Sequence, residues 1–417
     1  VYERRRTRRI DVGRVPVGGG APISIQSMTT TKTDDVGATL VQVHELATQG
    51  ADIVRVAVPH EGDARALPVI AREGGVPIVA DIHFSVRLAM MALEAGVHGL
   101  RINPGNMRNP AHIKEVAEGA RDRGIPIRIG VNAGSLDRKL IAKHGRPTAE
   151  ALVESALYEI GLLEQHGLTD IKVSVKHQNV AEMIAAYRLL ADRTDVPLHL
   201  GVTEAGTPTQ GVVKSSIGIG TLLAEGIGDT IRVSLTAEPV EEVKVGKRIL
   251  QALGLRQDGF DLVACPSCGR AELDVFELAR EVESRIEKMD LPPMQIAVMG
   301  CEVNGPGEAR DADIGIAAGP GRGLLFSKGK QVGWVPHDRL VDALLEEAQR
   351  VAVELRARGE DEGGEVVVLK GAARRAPLLG NKASDRLGDR DRKVASDRLG
   401  DRDRKVIGRA APGESTD

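Results

Sequence analysis

Between about residues 20 and 250 the chain repeats one pattern of apolar and polar positions. A short β-branched run comes first, then a polar or glycine-containing turn, then a stretch rich in Ala, Leu and Glu with helical spacing. The runs are "ISIQSM" (23–28), "DIVRVAV" (52–58), "PIVADIHF" (77–84), "GLRINPG" (99–105), "IPIRIGVNAG" (125–134), "DIKVSVK" (170–176), "PLHLGVTEAG" (197–206) and "TIRVSLT" (230–236). Most are preceded by a helix end punctuated by glycine, as in "ATQGAD", "LEAGVHG" and "EQHGLTD". Eight β-then-α units at this spacing predict a (β/α)8 TIM barrel over residues 1–258, with its active site at the C-terminal ends of the strands. A doubly wound open sheet is the rival, but no G-x-G-x-x-G follows the first strand.

From 259 to 358 the pattern changes to a smaller α+β unit: "LVACP", a helix near 271–288, "QIAVMG", "DIGIAAG", "GLLFSKG", "QVGWVP" and a closing amphipathic helix. Residues 359–417 read as a linker and a low-complexity tail. "ASDRLGDRDRKV" at 383–394 recurs letter for letter at 395–406. With so little to bury, this segment is expected to be disordered.

Composition sharpens the picture. Hydrophobic residues make up 42% of the 417 residues and aromatics only 2%, so the core must be built from Val, Ile, Leu and Ala, as a parallel barrel requires. The formal net charge of −3 argues against nucleic acid or a membrane surface as partner. No window is long and apolar enough to span a membrane, and the basic start "VYERRRTRRIDVGRVP" reads as an ordinary charged terminus. Three cysteines cannot make a disulfide framework, and two lie in a C-x-x-C. That pattern points to metal, cluster or redox use in a reducing, cytoplasmic setting.

Arg55, Arg101, Arg128 and Arg232 sit inside the expected strands, and Lys176 ends another. A guanidinium on an inward strand position is costly to desolvate unless an anion meets it, so several converging on one mouth imply a polyanionic ligand. The alternative for each is a pairing with a barrel carboxylate such as Asp81 or Glu204, or an outward position under a helix. Gln26, Ser27, Asn103, Asn132, Ser135, Thr203 and Ser234 are amides and hydroxyls at strand ends that can orient a hydroxylated ligand. Glu204, directly after a strand, is placed to move protons. His83 and His199 are expected to be hydrogen-bonded core residues.

Cys265 and Cys268 are followed by a lone Cys301, so the second C-x-x-C of a zinc ribbon is missing. A Cys3His zinc site using His337 is possible on spacing. The N-G-P-G after Cys301 instead reads as a turn returning Glu308 toward it. Three thiolates and one carboxylate would then hold an iron–sulfur cluster, with the oxygen-bound iron the labile one.

"IQSMTTTKT", "ADIVRVAVP", "VADIHF", "LRINPGN", "IRIGVNAGSL", "KVSVK", "LGVTEAG", "GIGDTIRVSL", "ACPSCGR" and "GCEVNGPGEARDADIGIAAG" together resemble the 4-hydroxy-3-methylbut-2-enyl diphosphate synthases of the bacterial methylerythritol phosphate route. The resemblance runs from about residue 8 to 350. It implies reductive ring opening of 2-C-methyl-D-erythritol 2,4-cyclodiphosphate in the barrel and a [4Fe–4S] cluster ligated by Cys265, Cys268, Cys301 and Glu308. It implies that Arg55, Arg101, Arg128, Lys176 and Arg232 hold the diphosphate and that Glu204 is catalytic. It further implies reduced flavodoxin or ferredoxin as electron donor, and a homodimer in which one chain's cluster domain covers the other's barrel. The duplicated tail is foreign to the family pattern, and the plant-type inserted domain is missing. Two other readings are a redox-neutral barrel of pterin-binding type with structural zinc, and a metal-stapled nucleic-acid module. Strand-borne arginines disfavour the second, because groove-reading residues lie on exposed helices or ribbons.

Overall fold

The computed structural model describes residues 3–83, 85–103, 109–257 and 259–357. The duplicated tail and its expected disorder lie outside the described residues. An antiparallel hairpin comes first, β1 (Ile10–Val12) and β2 (Val15–Val17). Its two-residue turn puts Gly13 at φ +57°, where a side chain would be strained and would strike His98. Ile10, Val12 and Val17 pack against Ile53 and Val79, near the N-terminal ends of two barrel strands.

The barrel strands are β3 (Ser24–Met28), β4 (Ile53–Ala57), β5 (Ile78–Asp81), β6 (Gly99–Ile102), β7 (Ile127–Asn132), β8 (Ile171–Lys176), β9 (His199–Leu200) and β10 (Thr230–Ile231). They pair in parallel in the order β8-β7-β6-β5-β4-β3-β10-β9. The ring closes between β8 and β9 by the Val173–Leu198 bridge and by the Val173 N–H donating to Pro197 O at 2.9 Å. All eight runs expected from the sequence are strands of this barrel. A helix follows each strand, several N-capped by a side chain, as Asp35, Ser85, Thr148 and Asn179 do. The glycine punctuation has a backbone cause, since Gly96 and Gly167 both lie at φ +76°, the left-handed conformation that ends a helix.

Alternation along the strands sorts the side chains. Val54, Val56, Leu100, Ile102, Ile127, Ile129, Val131, Val173 and Val175 face the helices and join the main apolar core. Each contributes roughly 1.5–3 kcal/mol by burial. The opposite face is polar yet equally buried: Gln26, Arg55, Asp81, Arg101, Arg128, Lys172, Ser174, Lys176 and His199. The basic N-terminus is folded against the barrel rather than left as a free charged end. Arg5 donates to Val196 O at 2.6 Å and Ala191 O at 3.1 Å, and Arg8 pairs with Asp195 at 2.6 Å.

Strands β11 (Phe260–Ala264), β12 (Met294–Met299), β13 (Ile314–Gly319), β14 (Arg322–Ser327) and β15 (Lys330–Pro336) form a second sheet in that order. Its first three strands are parallel and its last two antiparallel. The helices Val275–Ile286 and Leu340–Ala357 cover one face through Val282, Ile286, Leu340 and Leu344. The short helix Gly305–Asp311 covers the other through Ala309. Among the described residues no helix is long and apolar enough to cross a membrane.

Candidate active site

The inward faces of four neighbouring strands form one register row: Asp81 opposite Arg101, Arg101 opposite Arg128, Arg128 opposite Lys172. Arg101 donates through Nη1 to Asp81 Oδ1 and meets His83 Nε2, both at 3.0 Å, and through Nη2 to Gly130 O at 3.3 Å. Arg55 Nε stands 3.6 Å from the other oxygen of Asp81, and its guanidinium lies against Met28 Sδ. One carboxylate therefore serves two guanidiniums. Burial alone would raise the Asp81 pKa, but Arg55, His83 and Arg101 outweigh it and hold the group well below the usual carboxylate range.

Arg128 has no such partner among the described residues. It is buried, and its Nε and Nη1 find no hydrogen-bond acceptor among them. Burial first, then Arg55 and Arg101, push its pKa well down. A guanidinium does not give up its proton in proteins, so this expresses uncompensated charge that an anion would relieve. Lys176 is lowered in the same way, by burial and then by Arg128, Arg232 and Arg55. Arg232 is partly exposed and lies 3.5 Å from Glu242 Oε2, a carboxylate on the helix Pro239–Ala252.

Asn132 ends β7 half-buried, and Ser234 is half-buried just beyond β10. Glu204 is exposed after β9, with its backbone at φ +51°, a conformation uncommon outside glycine and asparagine. Among the described residues the carboxylates that pair with these arginines are Asp81 and Glu242, not Glu204. His199 also departs from expectation: it is fully buried, but neither ring nitrogen has a hydrogen-bond partner among the described residues. Lys172 was not singled out in the sequence. The signal was present in "DIKVSVK", where alternation places Lys172 on the face of Lys176.

The cysteines lie on two loops that leave adjacent parallel strands. Cys265 follows β11, and Cys301 comes two residues after β12. The Gly300 N–H donates to Cys265 Sγ at 3.3 Å, and the Glu272 N–H binds Gly300 O at 3.0 Å, so the loops are laced together. Backbone N–H groups of Asn304 and Val303 lower the Cys301 thiol pKa. All three cysteines are free thiols. The residues after Cys301 do not make the simple reversing turn expected. They open the helix Gly305–Asp311, with Pro306 in its first turn, where the missing N–H costs nothing, and Glu308 in that turn too. Soft thiol donors on laced loops with inward N–H groups suit iron–sulfur ligation. The side chains are not drawn to a common point: among the described residues no three His, Cys, Asp or Glu groups stand together in metal-ligand fashion. His337 is committed elsewhere, its Nε2 lying 2.8 Å from Gly319 O.

Fold and site define a (β/α)8 enzyme with a densely charged, largely basic interior, joined to a cysteine-bearing α+β sheet. The family model described as the GcpE TIM-barrel domain matches residues 7–247, and the GcpE protein C-terminal domain matches 261–350. A protein of Salinispora arenicola named 4-hydroxy-3-methylbut-2-en-1-yl diphosphate synthase (flavodoxin) is 59% identical over 360 residues, 86% of this chain and 92% of the relative. An Acidothermus cellulolyticus protein of the same name is 58% identical over 357 residues, 85% of this chain and 91% of its own. The chain therefore belongs to the GcpE family, the 4-hydroxy-3-methylbut-2-en-1-yl diphosphate synthases, and is an oxidoreductase. Among solved structures, a Yersinia pestis dihydropteroate synthase is 13% identical, covering 58% of this chain and 98% of that one with a TM-score of 0.43, a likeness too loose to carry a functional argument.

Proposed function

We propose that this chain reductively opens and dehydrates 2-C-methyl-D-erythritol 2,4-cyclodiphosphate to 4-hydroxy-3-methylbut-2-enyl diphosphate, taking in two electrons singly and releasing one water. The observation that carries this reading is Arg128, a buried guanidinium with two nitrogens unsatisfied among the described residues, in a barrel whose carboxylate Asp81 already serves Arg55 and Arg101. Such an interior is short of negative charge and of hydrogen-bond acceptors. A cyclic diphosphate supplies both.

Arg55, Arg101, Arg128, Lys176 and Arg232 grip the phosphoryl oxygens, and Asn132 and Ser234 orient the sugar-derived hydroxyls. Glu204, exposed at the mouth, is the group that moves a proton there. Residues 1–258 act as the substrate domain and 259–358 as the cluster domain, with 359–417 as linker and tail. A [4Fe–4S] cluster held by Cys265, Cys268, Cys301 and Glu308 would supply single-electron reduction and a Lewis-acidic iron. The backbone N–H groups of Asn304 and Val303 favour the thiolate form of Cys301. The relatives' names support reduced flavodoxin as donor, with ferredoxin an alternative. A cytoplasmic homodimer, one chain's cluster domain over the other's barrel, completes the reading.

Two measurements test it. An anaerobic visible spectrum with iron and sulfide analysis should show four of each per chain, and zinc without sulfide would reject the cluster. Arg128→Ala should weaken binding of the cyclic diphosphate about ten- to a hundredfold, from the roughly 1.5–3 kcal/mol of a charged hydrogen bond, while sparing cluster content. Unchanged affinity would remove Arg128 from the grip.

A further inference from the structure

The geometry points to Lys172 as a further anion-binding residue: with Gln26 and His199 it forms an inner subsite, continuous with Arg128, that receives a phosphoryl oxygen of the ligand. This rests on the reading that the barrel binds a cyclic diphosphate. Lys172 is Arg128's register partner on β8 and is 2% exposed. Its Nζ reaches across the interior to Gln26 Oε1 on β3 at 3.4 Å, its one side-chain hydrogen bond among the described residues and a long one.

Among the described residues, Arg128 Nε and Nη1, Gln26 Nε2 and both nitrogens of His199 are buried without partners. Guanidinium, ammonium and amide N–H groups only donate, while a neutral His199 offers one donor and one acceptor, so unpaired donors outnumber acceptors. A cation or an apolar group would worsen the imbalance, and an oxyanion would relieve it. The carboxylate that acts on Lys172 is Asp229, and its oxygens are already committed to the Leu198 N–H at 2.8 Å, Thr7 at 3.1 Å and Arg4 at 3.4 Å.

A proton follows from this placement. Burial, then Arg128 and Arg55, bring the Lys172 pKa down to about 7, against Asp229, which raises it. Of the other groups nearby, Lys176 and His199 are also pushed well down, His199 in part by Lys172 itself. An arriving dianion favours the ammonium, so Lys172 takes up a proton as the ligand seats. A cyclic diphosphate has one strongly acidic hydroxyl per phosphorus and does not itself titrate near neutrality.

The test is calorimetric titration of the oxidised, cluster-loaded full chain with 2-C-methyl-D-erythritol 2,4-cyclodiphosphate. It is run between about pH 6 and 8.5 in buffers of different ionisation heat. The native chain should take up a proton near pH 7, and its affinity should fall above that pH, by up to about tenfold per unit. Lys172→Met should bind at least about tenfold more weakly at the acid end, take up less proton near pH 7 than the native chain, and melt at a higher temperature without ligand, because an unpaired buried charge is gone. If the Met variant does not fold, Lys172→Gln should show the same weaker binding and the same reduced proton uptake. Native affinity and native proton uptake in the variants, with Arg101→Ala weakened, would overturn the inner subsite and leave the mouth assignment standing. No binding by the native chain would sink the proposed function and this inference with it.

Discussion

Gly130 leaves the space that Arg101 occupies: a Cβ at position 130 would lie 2.5 Å from Arg101 Nε and 2.8 Å from Nη2. Gly201 does the same for Lys176, whose Nζ would be 2.7 Å from a Cβ there. Two inward positions of the barrel are thus kept empty so that two long basic side chains can lie across it.

Gly130→Ala should therefore push Arg101 off Asp81. The expected outcome is a stability loss of about 1–3 kcal/mol, as for other overpacked cores, and binding of the cyclic diphosphate at least about tenfold weaker. Thermal melts and calorimetry measure both. A variant with native affinity would show that Arg101 reaches the ligand by another path.

Asp81 makes the barrel's stability depend on pH. Its folded carboxyl lies well below the usual range, so its contribution is complete above the unfolded value of about 4. That contribution is lost as the pH falls from there toward the folded pKa. Asp81→Asn should cost about 3–5 kcal/mol at neutral pH, because Arg55 and Arg101 lose their shared counter-ion. The variant's stability should also vary less with pH below 4 than the native chain's.

Glu204 separates backbone strain from chemistry. Glu204→Gly should stabilise the fold by about 1 kcal/mol by relieving the left-handed backbone, and Glu204→Gln should leave stability near native. Both should bind the cyclic diphosphate and lose most turnover if the carboxylate moves a proton. Full turnover in Glu204→Gln would take the residue out of the catalytic set.

Glu308→Cys tests the proposal that one cluster ligand is a carboxylate. The variant should keep its iron and sulfide and lose most turnover, since thiolate holds iron more firmly than carboxylate. Cys265→Ser, Cys268→Ser and Cys301→Ser should each lose cluster and local folding together. Full activity in Glu308→Cys, with four thiolates confirmed by spectroscopy, would remove the exchangeable-iron role.

Periodicity carried the architecture in the sequence alone. Alternating β-branched runs, helical stretches and helix-ending glycines such as Gly96 and Gly167 predicted eight barrel strands and a second sheet, because both signals arise from the local backbone. Residue type carried the cysteines and the strand arginines. Whether those arginines were already neutralised could not be read from the chain. Asp81 is 20 residues from Arg101 and 26 from Arg55, and only the closing of the barrel makes it their shared partner. The same closure left Arg128 and His199 without hydrogen-bond partners for two nitrogens each among the described residues, and brought Lys172 to Gln26, 146 residues away in the chain. The turn after Cys301 became a helix because Pro306 sits where a first turn tolerates it and Ala309 has a sheet to pack on. Local propensity is written along the chain, whereas charge balance in a buried site depends on which distant strands meet, and that is decided by the tertiary fold.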